Sequence, residues 1–323
     1  MVKKTKKITL KTTEKRNTAL HNVMREINKK LGNDAIKLAK DEKIKDRISF
    51  GVESIDNFTG NGTVRGNFCI IYGGDSTGKT SLAYSQIATN QKKGLVCAYF
   101  DLEHSFDVTR AKNFGIDLNK LVLIEKLSTA EQAMNILIRL CKEKVIDYAV
   151  IDSIQAMSPK GQQENKKGAE KSVEDDNIAL LARKMSQFLV MSKDTVYVSN
   201  VGVLMIGQVR TGGIGSFVTT SALTGGLAQK HYSLMTLFMR KGQKADAPRE
   251  KYITETVDND GKTHKRTKER IIGFDCVVKV IKKKIINCQN EGSELHLPFY
   301  FETGFTHQEK IEDNNDKRKE EIK

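Results

Sequence analysis

The stretch "IYGGDSTGKTSL", Ile71–Leu82, decides how the rest of the chain is read. An apolar run ends in two glycines, and Lys79, Thr80 and Ser81 open what the following pattern predicts is a helix. Gly73-x-x-x-x-Gly78-Lys79-Thr80 meets the phosphate-loop pattern, with a strand before it and a helix after it. Glycines let backbone N–H groups turn inward around phosphate oxygens, and a helix N-terminus favours the same negative charge. On this reading Gly73, Gly74, Asp75, Ser76, Thr77, Gly78, Lys79, Thr80 and Ser81 surround the phosphates of ATP. Lys79 reaches the β- and γ-phosphates, and the Thr80 hydroxyl binds Mg²⁺.

Such a site needs a carboxylate from the end of another strand to complete the Mg²⁺ shell, and "YAVIDS" supplies Asp152. A third strand ends in "YFDLEH", where Glu103 is placed to orient or deprotonate an attacking water. Acidic residues often end strands, so Glu103 by itself is a weak sign.

Working outward, "NFCIIY" (67–72), "LVCAYFD" (95–101), "DYAVID" (147–152) and "VGVLMIGQ" (201–208) are short apolar runs bounded by polar or glycine signals. Continuous runs of this kind suit strands buried on both faces. Helical patterns separate them: one from Lys79 to about Lys93, one with Ala133, Ile136, Leu137 and Leu140 on a face, and one with Ile178, Leu181, Met185 and Phe188. The alternation predicts an α/β fold, a mostly parallel sheet with helices on both sides. After Gly226 the runs "YSLMTLFMR", "KYITETV" and "ERIIGFDCVVKVI" read as antiparallel strands, with "NDGK" (259–262) as a turn. At the other end, Leu20, Val23, Met24, Ile27 and Leu31 recur at helical spacing before Gly32.

The expected organisation is therefore a basic N-terminal helix and linker over 1–46, a core over 47–300, and a short disordered tail over 301–323. The tail is almost devoid of core residues.

The 323 residues carry a net charge of +14, concentrated in two places. Residues 1–50 hold fifteen Lys/Arg against six Asp/Glu, and residues 240–285 hold fourteen against seven. Clusters of this sign suit a polyanion such as nucleic acid, although charge alone is also met by a solvated basic surface. No apolar run approaches the roughly 20 residues that span a bilayer, and the basic N-terminus lacks the apolar segment of a secretory signal. A cytoplasmic location is expected. Five cysteines are scattered without a C-x-x-C pair, which reads as reduced thiols serving as small hydrophobes.

In order along the chain, "ISFGVESIDNFTGNG", the phosphate loop through "DLEHSFDVTRAKNFGIDLNKL", "VIDSIQAMSPK", "LARKMSQ", "MIGQVR", "TGG" and "VKVIKKKI" resemble the ATPase core of bacterial RecA-type recombinases. The resemblance runs from about Arg25 to about Ile285. It implies that Glu103 activates water and that Gln208 senses the γ-phosphate. It identifies Val209–Gly226 with the family's second DNA-binding loop, carrying Arg210, Ile214, Phe217, Thr224, Gly225 and Gly226. Glycines and small hydroxyl residues there fit order gained on binding. Pro159–Asn177, longer than expected and bearing Lys160, Lys166, Lys167 and Lys171, corresponds to the first loop. Arg183 and Ser186 on the next helix are then DNA contacts, while Val190 stands where the family usually has an arginine.

The resemblance also matches Lys282 and Lys284 to lysines that reach a neighbouring subunit's ATP. Their alternate spacing equally fits an exposed basic strand edge. Arg110, near Asp107, occupies the position where these enzymes often stack a tyrosine on adenine. The chain is expected to lack the family's C-terminal domain, as in a shortened, phage-borne member acting in a host cytoplasm.

The function so implied is a DNA-dependent ATPase that forms helical filaments on single-stranded DNA and promotes pairing with homologous duplex DNA in recombination and repair. A ring-forming helicase or repair ATPase, and a nucleotide-gated regulator of a host recombinase, are the alternatives.

Overall fold

The computed structural model of the chain describes residues 2–31, 35–42, 44–156, 178–210, 222–223, 227–257, 263–285 and 287–305. The chain divides into two compact units, 1–45 and 46–323. The first holds α1 (Val2–Leu31) and the segment that follows it. Asn28 ties the two: its amide donates to Ile36 O at 2.9 Å, and its Oδ1 accepts from Ile36 N at 3.0 Å. Leu20, Val23 and Leu31, part of the apolar periodicity of α1, are exposed.

The second unit contains, in chain order, β1 (Arg47–Ile48), α2 (Glu53–Thr59), β2 (Thr63–Val64), β3 (Phe68–Gly73), α3 (Lys79–Lys92), β4 (Cys97–Asp101), α4 (Val108–Asn113) and β5 (Leu121–Ile124). It continues with α5 (Ala130–Lys142), β6 (Tyr148–Asp152), α6 (Ile178–Ser199), β7 (Gly202–Arg210), β8 (Ala222–Leu223), α7 (Leu227–Tyr232) and β9 (Ser233–Lys241). The last strands are β10 (Arg249–Val257), β11 (Thr263–Ile271), β12 (Gly273–Lys283) and β13 (Glu294–Tyr300).

The main sheet has the order β13-β12-β9-β3-β7-β6-β4-β5. From β9 to β5 all neighbours are parallel, and β12 and β13 add an antiparallel margin. The strand β9 thus differs from its expected antiparallel reading on one side: it pairs antiparallel with β12 but parallel with β3. Its sequence is apolar on both faces because it lies inside the sheet, and periodicity cannot separate the two pairings.

Residue alternation explains the layers. On β3 every side chain is buried; Cys69 and Ile71 join one core with Leu82 and Ile87 of α3, whereas Phe68, Ile70 and Tyr72 join the other with Leu137 of α5 and Met185 and Phe188 of α6. Helix α5 starts from a reciprocal cap, Thr129 with Gln132, which satisfies backbone donors that the first turn leaves open. No helix among the described residues is long and apolar enough to cross a membrane.

Strands β10 and β11 stand apart as a two-stranded ribbon with nine aligned residue pairs. The expected turn at 259–262 lies outside the described residues, as do nearly all of the two expected DNA-binding loops and the tail beyond 305.

Candidate nucleotide-binding site

Parallel strands bring their carboxyl ends to one edge, which is where open α/β sheets bind ligands. The register aligns Gly73 with Gln208 across β3 and β7, and Asp101 with Asp152 across β4 and β6. Four chain segments far apart in sequence therefore end side by side.

The phosphate loop leaves β3 at Gly73 and enters α3 at Lys79. Gly73 is confined: a Cβ there would lie 2.0 Å from Met239 O on β9. Gly78 has φ of +95°, a left-handed conformation that glycine adopts freely, and a Cβ would press on the Phe299 ring at 3.0 Å. Lys79 Nζ, nearly buried, donates to Gly73 O at 3.1 Å and Gly74 O at 2.5 Å. Burial pulls its pKa below the ordinary lysine value, while Asp152, Asp75 and Glu103 oppose that shift. A cation held over the loop by its own carbonyls is positioned to meet phosphate oxygens.

Thr80 Oγ1 donates to Asp152 Oδ2 at 2.7 Å. The same oxygen accepts from the Tyr99 hydroxyl at 2.8 Å. Burial raises the Asp152 pKa, the hydroxyls of Thr80 and Tyr99 lower it, and Glu103 adds to the rise. A hydroxyl and a carboxylate are hard oxygen donors, the set that suits Mg²⁺ beside phosphates. No group of three or more His, Cys, Asp or Glu able by itself to hold a metal ion is present among the described residues. The fit is thus to a cation completed by phosphate and water.

Glu103 lies on the turn after β4. Asp101 shapes that turn, its two carboxylate oxygens accepting from Ser105 N at 3.0 Å and Phe106 N at 2.9 Å. Glu103 Oε1 accepts from the Ser153 hydroxyl and, at 3.3 Å, from Gln208 Nε2. Ser153 follows a cis peptide after Asp152. Gln155 Nε2 donates to Gln208 O at 3.1 Å, fixing the strand end that carries Gln208. Glu103 and Gln208 thereby face each other beside Thr80 and Asp152.

Beyond the phosphate loop is a cavity of about 610 Å³ lined by Thr77, Lys79, Arg110, Lys241, Phe274 and Phe301 among others. Asp107 caps α4, accepting from Thr109 N at 2.8 Å and Arg110 N at 3.0 Å. The Arg110 guanidinium donates to Ser81 Oγ at 2.7 Å and lies 5.9 Å from the centre of the Phe114 ring. The opposite wall is aromatic. Phe274 and Phe299 stack at 4.5 Å, Phe301 is 6.4 Å from Phe274, and Lys241 Nζ sits 5.1 Å from the centre of the Phe274 ring. Sequence reading missed this wall and Lys241; the three consecutive aromatics of "FYF" (299–301) were the available signal.

The remaining expected residues lie elsewhere. Lys282, near the end of β12, donates from Nζ to Lys230 O, to His231 O at 3.0 Å and to Ser233 O at 2.7 Å. Within one subunit it caps the C-terminal carbonyls of α7. A bulge between Val280 and Lys282 interrupts the strict alternation, and Lys284 follows just beyond the strand as an exposed side chain. Arg183 is exposed and Ser186 half-buried on α6. Arg210 ends β7, and Ile214, Phe217, Thr224, Gly225 and Gly226 fall outside the described residues.

The family model described as the RecA N-terminal domain matches residues 18–299. Protein RecA of Helicobacter hepaticus is 33% identical over 266 residues, 80% of this chain and 71% of that protein. Protein RecA of Allorhizobium ampelinum is 35% identical over 279 residues, 85% of this chain and 69% of that protein. Protein RecA of Campylobacter fetus is 37% identical over 223 residues, 68% of this chain. The match spans only 62% of the Campylobacter fetus protein and 63% of its counterpart from Sulfurovum.

Proposed function

The chain belongs to the RecA family, and from that premise we propose that it is a DNA-dependent ATPase that assembles on single-stranded DNA and promotes homologous pairing and strand exchange. The observation that carries this reading is the meeting of Lys79, Thr80, Asp152, Glu103 and Gln208 at one sheet edge, with Gln208 two residues before the end of the strand that leads into the second loop.

ATP with Mg²⁺ supplies the transferable phosphoryl group and a cation that offsets its charge. Lys79 and the loop N–H groups hold the phosphates; Thr80 and Asp152 hold the cation. Glu103, already accepting from Ser153 and Gln208, orients a water and takes its proton. The aromatic wall of Phe274, Phe299 and Phe301 and the Arg110 guanidinium enclose the base. Gln208, on β7 beside the phosphate loop and two residues before Arg210, would be the residue through which a bound γ-phosphate is felt at the start of the second loop.

Assembly completes the site. Lys284 is exposed and free to reach a neighbouring subunit, whereas Lys282 must first leave the carbonyls of α7. The exposed apolar residues of α1 supply a face for docking on another copy of the core.

Glu103→Gln tests the reading. The variant keeps size and hydrogen-bonding capacity but loses the base, so ATP and single-stranded DNA binding should persist while turnover falls by about 10²–10⁴. Unchanged turnover would remove Glu103 from the mechanism; lost DNA binding without ATP-site damage would favour a different use of the core.

A further inference from the structure

The ribbon β10–β11 is not used by the nucleotide site. Its strands pair with each other alone among the described residues, so both faces lie outside the sheet. A two-stranded ribbon with little apolar surface gains little from its own burial, and its side chains from Lys265 to Arg270 are all exposed. Its strands carry six Lys/Arg against three Asp/Glu.

The period-2 alternation divides the six cations evenly between the faces but places one acid, Glu250, on one face and two, Glu255 and Glu269, on the other. Register pairs Glu250 with Arg270, Tyr252 with Lys268 and Thr254 with Arg266, all on one face. Arg270 is engaged by Glu250 at 2.7 Å and lies 6.0 Å from the centre of the Tyr252 ring. Arg266 and Lys268 make no ion pair among the described residues. This face is a ladder of cations about 6.8 Å apart along one strand, flanked by a hydroxyl and a phenol. The other face carries Arg249, Lys251 and Lys265 among Glu255 and Glu269, with Arg249 3.8 Å from Glu269, and exposes Ile253.

We propose that this cationic face of the β10–β11 ribbon is a docking arm for duplex DNA, separate from the loops that grip the single strand. The proposal rests on the recombinase reading above. Shape selects the duplex: a B-form major groove, about 12 Å wide, admits a two-stranded β-ribbon. Single strands are gripped by rows of aromatic platforms, and this face has one phenol. The major groove of an RNA helix is too deep and narrow to take side chains. Contacts through Arg266 and Lys268 to phosphates carry affinity without sequence preference, which a search for homology anywhere in a genome requires.

The root of the arm touches the nucleotide site. Ile272 N donates to Pro248 O at 3.0 Å, closing the base of the ribbon, and Phe301 N donates to Ile272 O at 2.9 Å. Phe301 lines the nucleotide cavity.

The test is the full-length double variant Arg266→Gln/Lys268→Gln, assayed by fluorescence anisotropy on a short mixed-sequence duplex and on an oligothymidylate, each across a salt series. The expected result is about a tenfold loss of duplex affinity and a salt slope shallower by about 1.8, the share of two phosphate contacts. Oligothymidylate binding and DNA-stimulated ATP turnover stay unchanged. Arg266→Lys/Lys268→Arg keeps both charges and should bind duplex like the parent, which separates charge from folding damage. An unchanged duplex slope, equal losses on both DNAs, or a parent chain that binds no duplex would each overturn the proposal. Should the parent hydrolyse no ATP yet lose duplex affinity in the double variant, the recombinase reading falls and the arm stands.

Discussion

Tyr99→Phe isolates a single hydrogen bond in the nucleotide site. Tyr99 is fully buried, and its hydroxyl donates to Asp152 Oδ2 at 2.8 Å, an oxygen that also accepts from Thr80. Phenylalanine fills nearly the same volume and keeps the ring contacts to Tyr84 at 5.6 Å and Phe106 at 5.4 Å, so no cavity opens. What is lost is a bond to a buried carboxylate, about 1.5–3 kcal/mol. At roughly 2–4 °C per kcal/mol for a domain approaching this size, the thermal midpoint should fall by about 3–12 °C. The loss comes with a chemical signature. With the hydroxyl gone, burial raises the Asp152 pKa further, so apparent Mg²⁺ affinity in the presence of ATP should weaken and recover with rising pH. A double-mutant cycle with Asp152→Asn checks the assignment: against a neutral partner the cost of Tyr99→Phe should shrink to about 1 kcal/mol or less. A loss below about 0.3 kcal/mol, or the same loss in both backgrounds, would refute the claim that Tyr99 holds Asp152 for the cation.

Other outcomes follow from the same geometry. Gly73→Ala would set a methyl Cβ 2.0 Å from the backbone carbonyl oxygen of Met239, which has no flexible end to give way, and should cost at least about 2 kcal/mol in urea unfolding. Gly74→Ala, whose nearest atom would be 3.9 Å away, should stay within about 0.5 kcal/mol. Lys282→Met uncaps α7 and should lower the unfolding free energy by about 1 kcal/mol, whereas Lys284→Met should not; both should reduce turnover in the assembled state. Burial pushes the thiols of Cys69, Cys97 and Cys276 up to about 12. The native chain then keeps protons that the unfolded chain releases above about pH 8.5, so stability is full below that pH and falls as pH rises, by up to ~1.4 kcal/mol per pH unit per thiol. Urea midpoints at pH 8 and pH 10, with and without Cys97→Ala, measure that slope.

Local signals made the candidate nucleotide site legible. Gly73 to Thr80 is a contiguous motif, Asp152 ends an apolar run and Glu103 follows one by two residues, so the strand pattern also places the carboxylates. The family resemblance supplied Gln208, which no spacing argument reaches. The aromatic wall was hidden because Phe274, Phe299 and Phe301 come from β12, β13 and the residues after them, about two hundred positions from the phosphate loop, and meet it only through the sheet order. Tyr99 read as one more core residue of a buried strand; its hydroxyl's partner depends on β4 lying next to β6. The cap formed by Lys282 was equally out of reach, since it depends on β12 pairing with β9 directly after α7. The split of "ERIIGFDCVVKVI" into the end of β11 and the start of β12 was not legible either, since only the pairing of β12 with β9 and β13 separates the two.

An ATPase whose site is completed by assembly on DNA must lose activity on dilution. The most direct measurement is ATP turnover per subunit against protein concentration, with and without single-stranded DNA, with electron microscopy of the same samples. Turnover should rise with concentration, require DNA, and coincide with helical filaments. DNA-independent turnover that stays constant per subunit on dilution, from particles that form no filaments, would contradict it.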